Sequence, residues 1–159
     1  MPVTLTLHLA DEGATLDAGA KLARALEPGI VVHLVGELGA GKTTLVRGLL
    51  AALGHRGKVK SPTYTLAELY ELPGFAVCHF DFYRFTDPRE WESAGFRDYF
   101  GGHAVCLVEW PDKARDTAPA PDLRLTLVVA NGGRDLTIEP VTDRGERCAG
   151  RLHTSQRSS

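Results

Sequence analysis

The sequence predicts a single α/β domain of three layers, in which helices cover a mainly parallel central sheet that has antiparallel strands at its edges. Short apolar runs alternate with helical patterns through the middle of the chain, as in proteins built from β–α–β units. One of these runs, Ile30–Val35, is almost continuously apolar, as expected of a strand covered on both faces. Near the C-terminus, Asn131-Gly132-Gly133 separates two strand patterns and predicts a hairpin.

The first half of the chain contains two strand–helix pairs. Val3–Leu9 alternates polar and apolar residues, which is typical of a half-buried strand. Asp11–Leu26 predicts a helix, because an aspartate is available as its N-terminal cap and apolar residues share one face. After the strand Ile30–Val35 and a glycine-rich loop, Lys42–Leu53 predicts a second helix that a glycine ends.

The second half contains more predicted strands than helices. One strand is predicted to end at Leu72. Two more cover Phe75–Phe80, which Asp81 follows, and Ala104–Val108, which Glu109 follows. The last two are Leu123–Val129 and Arg134–Glu139. A helix is predicted over Arg89–Phe100, although Gly95 weakens its pattern. From about Asp143 the sequence is polar, with four arginines and little apolar material. We therefore expect one folded domain over residues 1–142 and a flexible tail over residues 143–159.

The bulk composition limits the classes of function. The 159 residues carry a net charge of −2, so the basic excess typical of proteins that bind nucleic acid by themselves is missing. Three separated cysteines lack metal-ligand spacing and predict reduced thiols. The sequence has neither an apolar run long enough to span a membrane nor a signal-peptide pattern. We expect a cytoplasmic protein without membrane contact or strong direct binding to nucleic acid.

The glycine-rich loop carries the clearest chemical signal. It fits the pattern G-x-x-x-x-G-K-[ST] and consists of Gly36, Glu37, Leu38, Gly39, Ala40, Gly41, Lys42 and Thr43, with Thr44 following. Glycines permit the backbone angles that allow several N–H groups to point at phosphate oxygens together. Lys42 is expected to reach the β- and γ-phosphates, and the Thr43 hydroxyl to bind Mg²⁺. The loop therefore predicts a bound nucleotide, ATP or its product ADP, together with Mg²⁺.

A hydrolytic site also needs an acidic group for the metal ion or the attacking water. Asp81 and Glu109 each follow an apolar strand, and the carboxyl ends of parallel strands form the edge at which open sheets bind ligands. The residues alone leave open which acid serves the metal and which the water, and an acid at a strand end is often simply solvated. His79 points to the same side of its strand as Asp81, as either a core or a catalytic histidine.

Other polar and aromatic residues carry weaker signals. Thr63 and Thr65 follow a Ser-Pro pair and are either sensors of the γ-phosphate or surface residues of a turn. Trp110 is either a packed aromatic residue or one that stacks on a base or a partner. Glu12 and Thr15 are explained by capping of the first helix without any ligand.

Four segments of the chain occur in an informative order. They read Gly-Glu-Leu-Gly-Ala-Gly-Lys-Thr-Thr at 36–44, Ser-Pro-Thr-Tyr-Thr-Leu at 61–66, His-Phe-Asp-Phe-Tyr-Arg at 79–84 and Val-Glu-Trp at 108–110. In this order they closely resemble the TsaE family, bacterial ATPases of tRNA threonylcarbamoyladenosine biosynthesis. The resemblance extends over about residues 5–130. It implies a P-loop NTPase-like fold and slow ATP hydrolysis by the isolated chain. It also implies action with TsaB and TsaD proteins, which modify the adenosine next to the tRNA anticodon.

The resemblance also implies roles for individual residues. Thr43 and Glu109 would be the Mg²⁺ ligands, and Asp81 would orient or activate the attacking water. Together with Lys42, Asp81 would form the catalytic pair. The residues implied around the rest of the nucleotide are the switch-like segment Ser61–Leu66, Trp110 and, more weakly, Glu12 and Thr15 near the adenine.

Other classes of protein remain as alternatives. A small P-loop kinase would need arginines from a lid, which Arg84, Arg89 and Arg97 could supply. A nucleotide-dependent interaction module would bind ATP with only incidental hydrolysis. A GTPase is disfavoured, because the chain's one asparagine, Asn131, does not lie in the Asn-Lys-x-Asp segment that usually recognises guanine.

Overall fold

The computed structural model describes residues 4–37, 39–59, 62, 66–83, 96–100, 102–110 and 119–158. These residues form seven β-strands and three α-helices. The strands are β1 (Leu5–Leu9), β2 (Val31–Val35), β3 (Ala67–Glu71), β4 (Ala76–Asp81), β5 (Val105–Glu109), β6 (Leu123–Ala130) and β7 (Gly133–Pro140). The helices are α1 (Glu12–Ala25), α2 (Lys42–Ala52) and α3 (Asp143–Ser158). The predicted α/β class is confirmed.

All seven strands form one sheet in the order β1-β7-β6-β2-β5-β4-β3. The four central strands, β6, β2, β5 and β4, are parallel to one another. Antiparallel pairs lie outside them, β1 with β7 and β7 with β6 on one side and β3 with β4 on the other. The predicted parallel centre with antiparallel edges is therefore confirmed. The carboxyl ends of β2, β5 and β4 meet at the same edge of the sheet.

Among the described residues, the three helices pack on one face of the sheet, so the predicted third layer on the other face stays a prediction. Leu22 of α1, Leu49 of α2 and Leu152 of α3 belong to one buried apolar cluster with strand residues. A separate cluster lies on the opposite face, where the rings of Phe80 and Phe100 stack with centroids 5.0 Å apart. The helix predicted over Arg89–Phe100 falls mostly outside the described residues, and its last part, Phe96–Tyr99, is a 3₁₀ turn.

The C-terminal segment corrects the expectation of a flexible tail. Residues 143–158 form α3, and its start is capped by Thr142, whose Oγ1 accepts a hydrogen bond from the backbone N–H of Gly145 at 3.1 Å. Cys148, Ala149 and Leu152 are buried in the main core. The prediction was wrong because a short apolar stripe in an otherwise polar segment is sufficient to hold a helix against an existing core. Residue 142 therefore does not end the folded domain.

The cysteines are free thiols, as their spacing in the sequence predicted. All three cysteines are buried and form no disulfide. Burial raises the pKa of Cys78, Cys106 and Cys148 to about 12 in each case, so the thiols stay protonated at neutral pH. Among the described residues, no helix has the length and apolar character needed to cross a membrane.

Candidate functional site

The glycine-rich loop connects the end of β2 to the start of α2. Gly39 and Gly41 have φ angles of 82° and 104°, a region that favours glycine over other residues. Gly36 is required for a different reason, because a Cβ there would lie 2.8 Å from the carbonyl oxygen of Leu127 on β6. Leu38 lies outside the described residues. In the part of the chain that the structure describes, no side chain caps α2 at Gly41, so N–H groups of its first turn are available to an anion.

Lys42 is buried at the start of α2, with 5% of its surface exposed. Its Nζ donates a hydrogen bond to the carbonyl oxygen of Gly36 at 2.7 Å. The same atom lies 3.5 Å from Oε1 of Glu109 and 4.2 Å from the ring centroid of Trp110. The loop lysine and the acid at the end of β5, predicted separately from the sequence, are therefore in contact.

Asp81 and Glu109 are direct neighbours at the ends of two parallel strands. They pair in register across β4 and β5, and each is 4% exposed. Oδ1 of Asp81 accepts a hydrogen bond from the backbone N–H of Tyr83 at 2.9 Å. His79 is fully buried, and its Nε2 lies 2.6 Å from Oε2 of Glu109. The histidine is thus a hydrogen-bonded residue of the site and contacts Glu109 rather than solvent.

The charge of Glu109 follows from competing effects. Burial on its own raises the pKa of Glu109, but the hydrogen bond and charge of His79, followed by the charge and hydrogen bond of Lys42, lower it more. The pKa of this carboxyl therefore lies below its ordinary value, and Glu109 is an anion at neutral pH. The other ring nitrogen of the histidine, Nδ1, is buried without a hydrogen-bond partner among the described residues.

Trp110 follows Glu109 in a backbone conformation that is uncommon for a tryptophan. Its φ angle is 56°, in the left-handed region where a bulky residue is strained. Its ring packs against the ring of Tyr83 with centroids 4.8 Å apart and also lies over the ammonium group of Lys42. Trp110 is therefore a packed residue beside Lys42, while its predicted contact with a nucleotide or partner stays a prediction.

The predicted sensor segment is described only at two positions. Pro62 and Leu66 are joined by a hydrogen bond of 2.7 Å from the backbone N–H of Leu66 to the carbonyl oxygen of Pro62. The carbonyl oxygen of Leu66 in turn accepts a hydrogen bond from the backbone N–H of Asp81 at 3.0 Å. Thr63 and Thr65 lie outside the described residues, so their role as γ-phosphate sensors stays a prediction. Arg84 and Arg89, proposed for a kinase lid, also lie outside them.

A cleft of about 260 Å³ opens beside the loop. It is lined by Leu9, Asp11, Glu12, Thr15, Gly41, Thr44, Gly132, Gly133 and Arg134. Asp11, and not Glu12, caps α1, because its Oδ1 accepts from the backbone N–H of Ala14 at 2.8 Å. Glu12 instead forms an ion pair of 2.7 Å with Arg47 of α2, and Thr15 is buried. The structure thus brings Glu12 and Thr15 next to the loop, and their contact with adenine stays a prediction.

Arg134 is the residue of this region that the sequence did not reveal. Its guanidinium group donates hydrogen bonds to the carbonyl oxygens of Ala40 and Gly39 at 2.9 and 3.1 Å. The loop and Arg134 are separated by more than 90 positions, and no local pattern marks one arginine of a hairpin as a partner of a distant loop. Only the hairpin signal just before it could have suggested that this residue has a fixed position.

The donor set fits a polyphosphate with Mg²⁺. The carboxylates of Asp81 and Glu109 and the hydroxyl of Thr43, an exposed residue, are hard oxygen ligands of the kind that Mg²⁺ prefers. Within the described ranges, no group of three or more histidine, cysteine, aspartate or glutamate side chains forms a metal cage. Mg²⁺ commonly uses one or two protein ligands and completes its shell with phosphate and water. Lys42 and the uncapped start of α2 supply the positive side of such a site.

Comparisons with known proteins point to one family. The family model "Threonylcarbamoyl adenosine biosynthesis protein TsaE" matches residues 9–136. The chain is 43% identical to the tRNA threonylcarbamoyladenosine biosynthesis protein TsaE of Haemophilus influenzae, over 90% of this chain and 94% of that protein. It is 40% identical to the protein of the same name from Bacillus subtilis, over 80% of each chain. The crystal structure of Bacillus subtilis YdiB superimposes with a TM-score of 0.78 at 28% identity, over 98% of both chains.

Proposed function

The chain belongs to the TsaE family of threonylcarbamoyl adenosine biosynthesis proteins, and on that premise we propose that it is a Mg²⁺-dependent ATPase. In this proposal it supports threonylcarbamoyl modification of the tRNA adenosine next to the anticodon. The observation that carries the proposal is the contact between Lys42, at the end of the glycine-rich loop, and Glu109, at the end of β5. This contact joins a phosphate-binding cation to a metal-binding anion at the carboxyl edge of a parallel sheet.

The proposed reaction is hydrolysis of the β–γ phosphoanhydride. Water attacks the γ-phosphorus, the bond from that phosphorus to the β–γ bridging oxygen breaks, and ADP and phosphate are released. Asp81 orients the water and accepts its proton, while Lys42 contacts the β- and γ-phosphates and offsets their developing charge. Thr43 and Glu109 would hold Mg²⁺, which when bound neutralises part of the phosphate charge.

The proposed partners are the TsaB and TsaD proteins, and hydrolysis would reset their complex between rounds of modification. The net charge of −2 supports this division of work, because it makes strong tRNA binding by this chain alone unfavourable. The reaction with tRNA would take place in the cytoplasm. Hydrolysis by the isolated chain is expected to be slow.

The nucleotide step is tested with Lys42→Ala. Removing the ammonium group should abolish ATP binding measured by titration calorimetry with Mg²⁺, because a charge-assisted contact with the phosphates is lost. Lys21→Ala is the matched control, since Lys21 lies on α1 and forms a solvent-accessible ion pair with Asp17 at 3.4 Å. Unchanged ATP affinity in Lys42→Ala would refute the nucleotide-binding proposal.

The biological step is tested by reconstitution with the TsaB and TsaD proteins of the same organism. Modified tRNA is counted over several turnovers, with ATP and Mg²⁺ present, in the presence and absence of this chain. We expect turnover beyond the first round to require the wild-type chain and to fail with Lys42→Ala. Equal turnover without the chain would reject the proposed role, and turnover supported by a binding-competent but hydrolysis-deficient variant would favour an interaction module.

A further inference from the structure

Arg134 connects the β6–β7 hairpin to the phosphate-binding loop. Its Nε donates to the carbonyl oxygen of Ala40 at 2.9 Å, and its Nη2 donates to the carbonyl oxygen of Gly39 at 3.1 Å. The remaining Nη1 donates to the carbonyl oxygen of Gly133 in its own hairpin at 3.0 Å. One planar guanidinium group therefore holds two consecutive peptide carbonyls of the loop and is itself held by the hairpin.

The hairpin gives Arg134 a fixed position. Asn131 and Gly132 form its two-residue turn with φ angles of 48° and 78°, as in the tight turns that match strand twist. A Cβ at Gly133 would overlap the backbone carbonyl of Leu9, so the glycine allows β7 to approach β1 closely. Arg134 itself pairs in register with Leu9 on β1. The side chain thus starts from a strand that pairs with β1 on one side and with β6 on the other.

Holding these carbonyls also fixes the directions of loop N–H groups. In a trans peptide unit the C=O and N–H bonds point in opposite directions. The unit between Gly39 and Ala40 is held at both ends, because its N–H donates to the carbonyl oxygen of Glu37 at 3.0 Å. The next unit has its carbonyl oxygen on Arg134, so the N–H of Gly41 points away from the guanidinium group.

We propose that Arg134 is a positioning residue that holds the phosphate-binding loop in shape and keeps the backbone N–H of Gly41 directed at the nucleotide's phosphates. The inference rests on the proposed ATP site and assigns a residue to it without requiring Arg134 to touch the nucleotide. Loop N–H groups of this pattern surround the α- and β-phosphates, which ATP and ADP share. Loss of the positioning should therefore lower the affinities for ATP and ADP by a similar factor.

The test compares three variants by calorimetry with Mg²⁺-ATP and Mg²⁺-ADP. Arg134→Ala should lower the affinity for both nucleotides by roughly tenfold or more, the scale of charge-assisted hydrogen bonds. Arg134→Lys keeps the charge but loses the planar fork, and should stay closer to the alanine variant than to wild type. Arg124→Ala is the matched control, because Arg124 is an exposed arginine on β6 of the same hairpin, and it should leave both affinities within about twofold. Thermal unfolding without nucleotide checks that each variant is folded.

Several outcomes would overturn the inference. If Arg134→Ala binds ATP and ADP as tightly as Arg124→Ala does, the contacts of Arg134 with the loop carbonyls are dispensable for binding. Full affinity in Arg134→Lys would assign the effect to charge alone, and a loss for ATP without a loss for ADP would indicate direct contact with the γ-phosphate.

Hydrogen–deuterium exchange of residues 39–43 without nucleotide supplies a second readout. Exchange should be faster in Arg134→Ala than in Arg124→Ala. A wild type that binds neither nucleotide would refute the proposed function and the phosphate part of the inference, and the exchange result would then decide whether Arg134 orders the loop.

Discussion

At the scale of single residues, Glu109 is the side chain on which the contacts of the site converge. One carboxylate oxygen lies 3.5 Å from Lys42 and the other 2.6 Å from His79. Both partners favour the ionised form, and together they outweigh the cost of burial. The arrangement keeps a buried anion available beside the loop lysine. A bound cation would therefore meet a carboxylate that is already charged and already oriented.

Asp81→Asn tests the division of work between the two acids. Asparagine has nearly the same shape, and its Oδ1 can still accept the hydrogen bond from the backbone N–H of Tyr83, so the fold should be retained. We expect nearly normal ATP affinity, with hydrolysis slower by roughly 10²-fold, the contribution of a positioned acid–base group. Single-turnover phosphate release and calorimetry on the same sample provide the two measurements.

Glu109→Gln is the companion variant for this prediction. Because Glu109 is the proposed metal ligand, its loss should raise the Mg²⁺ concentration required for ATP binding as well as slow the reaction. If Asp81→Asn keeps its turnover while Glu109→Gln loses it, the role in water activation belongs to Glu109.

Several features of the site could be predicted from residues, and others could not. Asp81 and Glu109 were recognised because each ends an apolar strand, a local pattern. Their alignment side by side depends on the register of two strands that are far apart in sequence. Arg134 was missed because its partners in the loop are two backbone carbonyls, and every residue has a backbone carbonyl, so the residue types there do not mark them as partners. Long-range contacts to backbone atoms are the part of a site that residue patterns do not contain.

At the scale of elements, α1 and α2 approach each other through glycines. A Cβ at Gly19 of α1 would overlap the carbonyl oxygen of Leu45, and a Cβ at Gly48 of α2 would overlap the carbonyl oxygen of Leu16. Two helices can pack this closely only where neither presents a side chain. The close packing places Glu12 at the start of α1 within 2.7 Å of Arg47 on α2. It thereby brings the first turns of both helices to the same cleft.

Gly48→Ala should destabilise the protein by crowding this helix pair. The added methyl group meets backbone rather than a flexible side chain, so the helices must separate, at a cost of roughly 1–3 kcal/mol. Gly150→Ala is the control, because Gly150 lies in α3 with open space around its Cβ position. There, the same change should stabilise by roughly 0.5–1 kcal/mol through helix propensity. Urea unfolding of both variants measures the difference, and equal stability of the two would contradict the packing argument.

The elements differ in how well local patterns predict them. The hairpin was predicted correctly because Asn131-Gly132 supplies two residues that tolerate positive φ between alternating strands. The helix α3 was not predicted, although Thr142 is a good cap and Asp143 and Glu146 place acids in its first turn. Its apolar face is narrow, and burial in the main core, which no local window reveals, stabilises it.

At the scale of the whole molecule, the functional site and the contacts that attach α3 lie at opposite ends of the central strand β2. The phosphate-binding loop follows the carboxyl end of β2, whereas Glu27 and Gly29 precede its amino end. Arg147 and Arg151 contact the carboxylate of Glu27 at 2.9 and 3.0 Å, and Arg144 donates to the carbonyl oxygen of Gly29 at 2.9 Å. A change at this cluster should therefore alter stability and leave nucleotide binding unchanged.

The pH dependence of stability offers the test of that separation. The hydrogen bond from Arg147 lowers the pKa of Glu27 most, burial works in the opposite direction, and Arg151 lowers it further. The net pKa lies below the ordinary value of 4.5, so the ionised carboxylate stabilises the folded state above that pH. This contribution is lost as the pH falls through the folded-state pKa. Because the cluster is partly exposed to solvent, its effect is modest.

Glu27→Gln should therefore lower the melting temperature at pH 7 by a few degrees, and its difference from wild type should shrink as the pH falls below 4.5. Melting curves are measured from pH 7 down to the lowest pH at which the wild type still unfolds cooperatively. Glu71→Gln, at an exposed position of the edge strand β3, is the control for the loss of one carboxylate and should match wild type at pH 7. ATP affinity should be the same in all three proteins. A stability difference that persists unchanged at low pH would show that Glu27 does not act through its charge. A loss of ATP affinity in Glu27→Gln would show that the cluster is coupled to the nucleotide site.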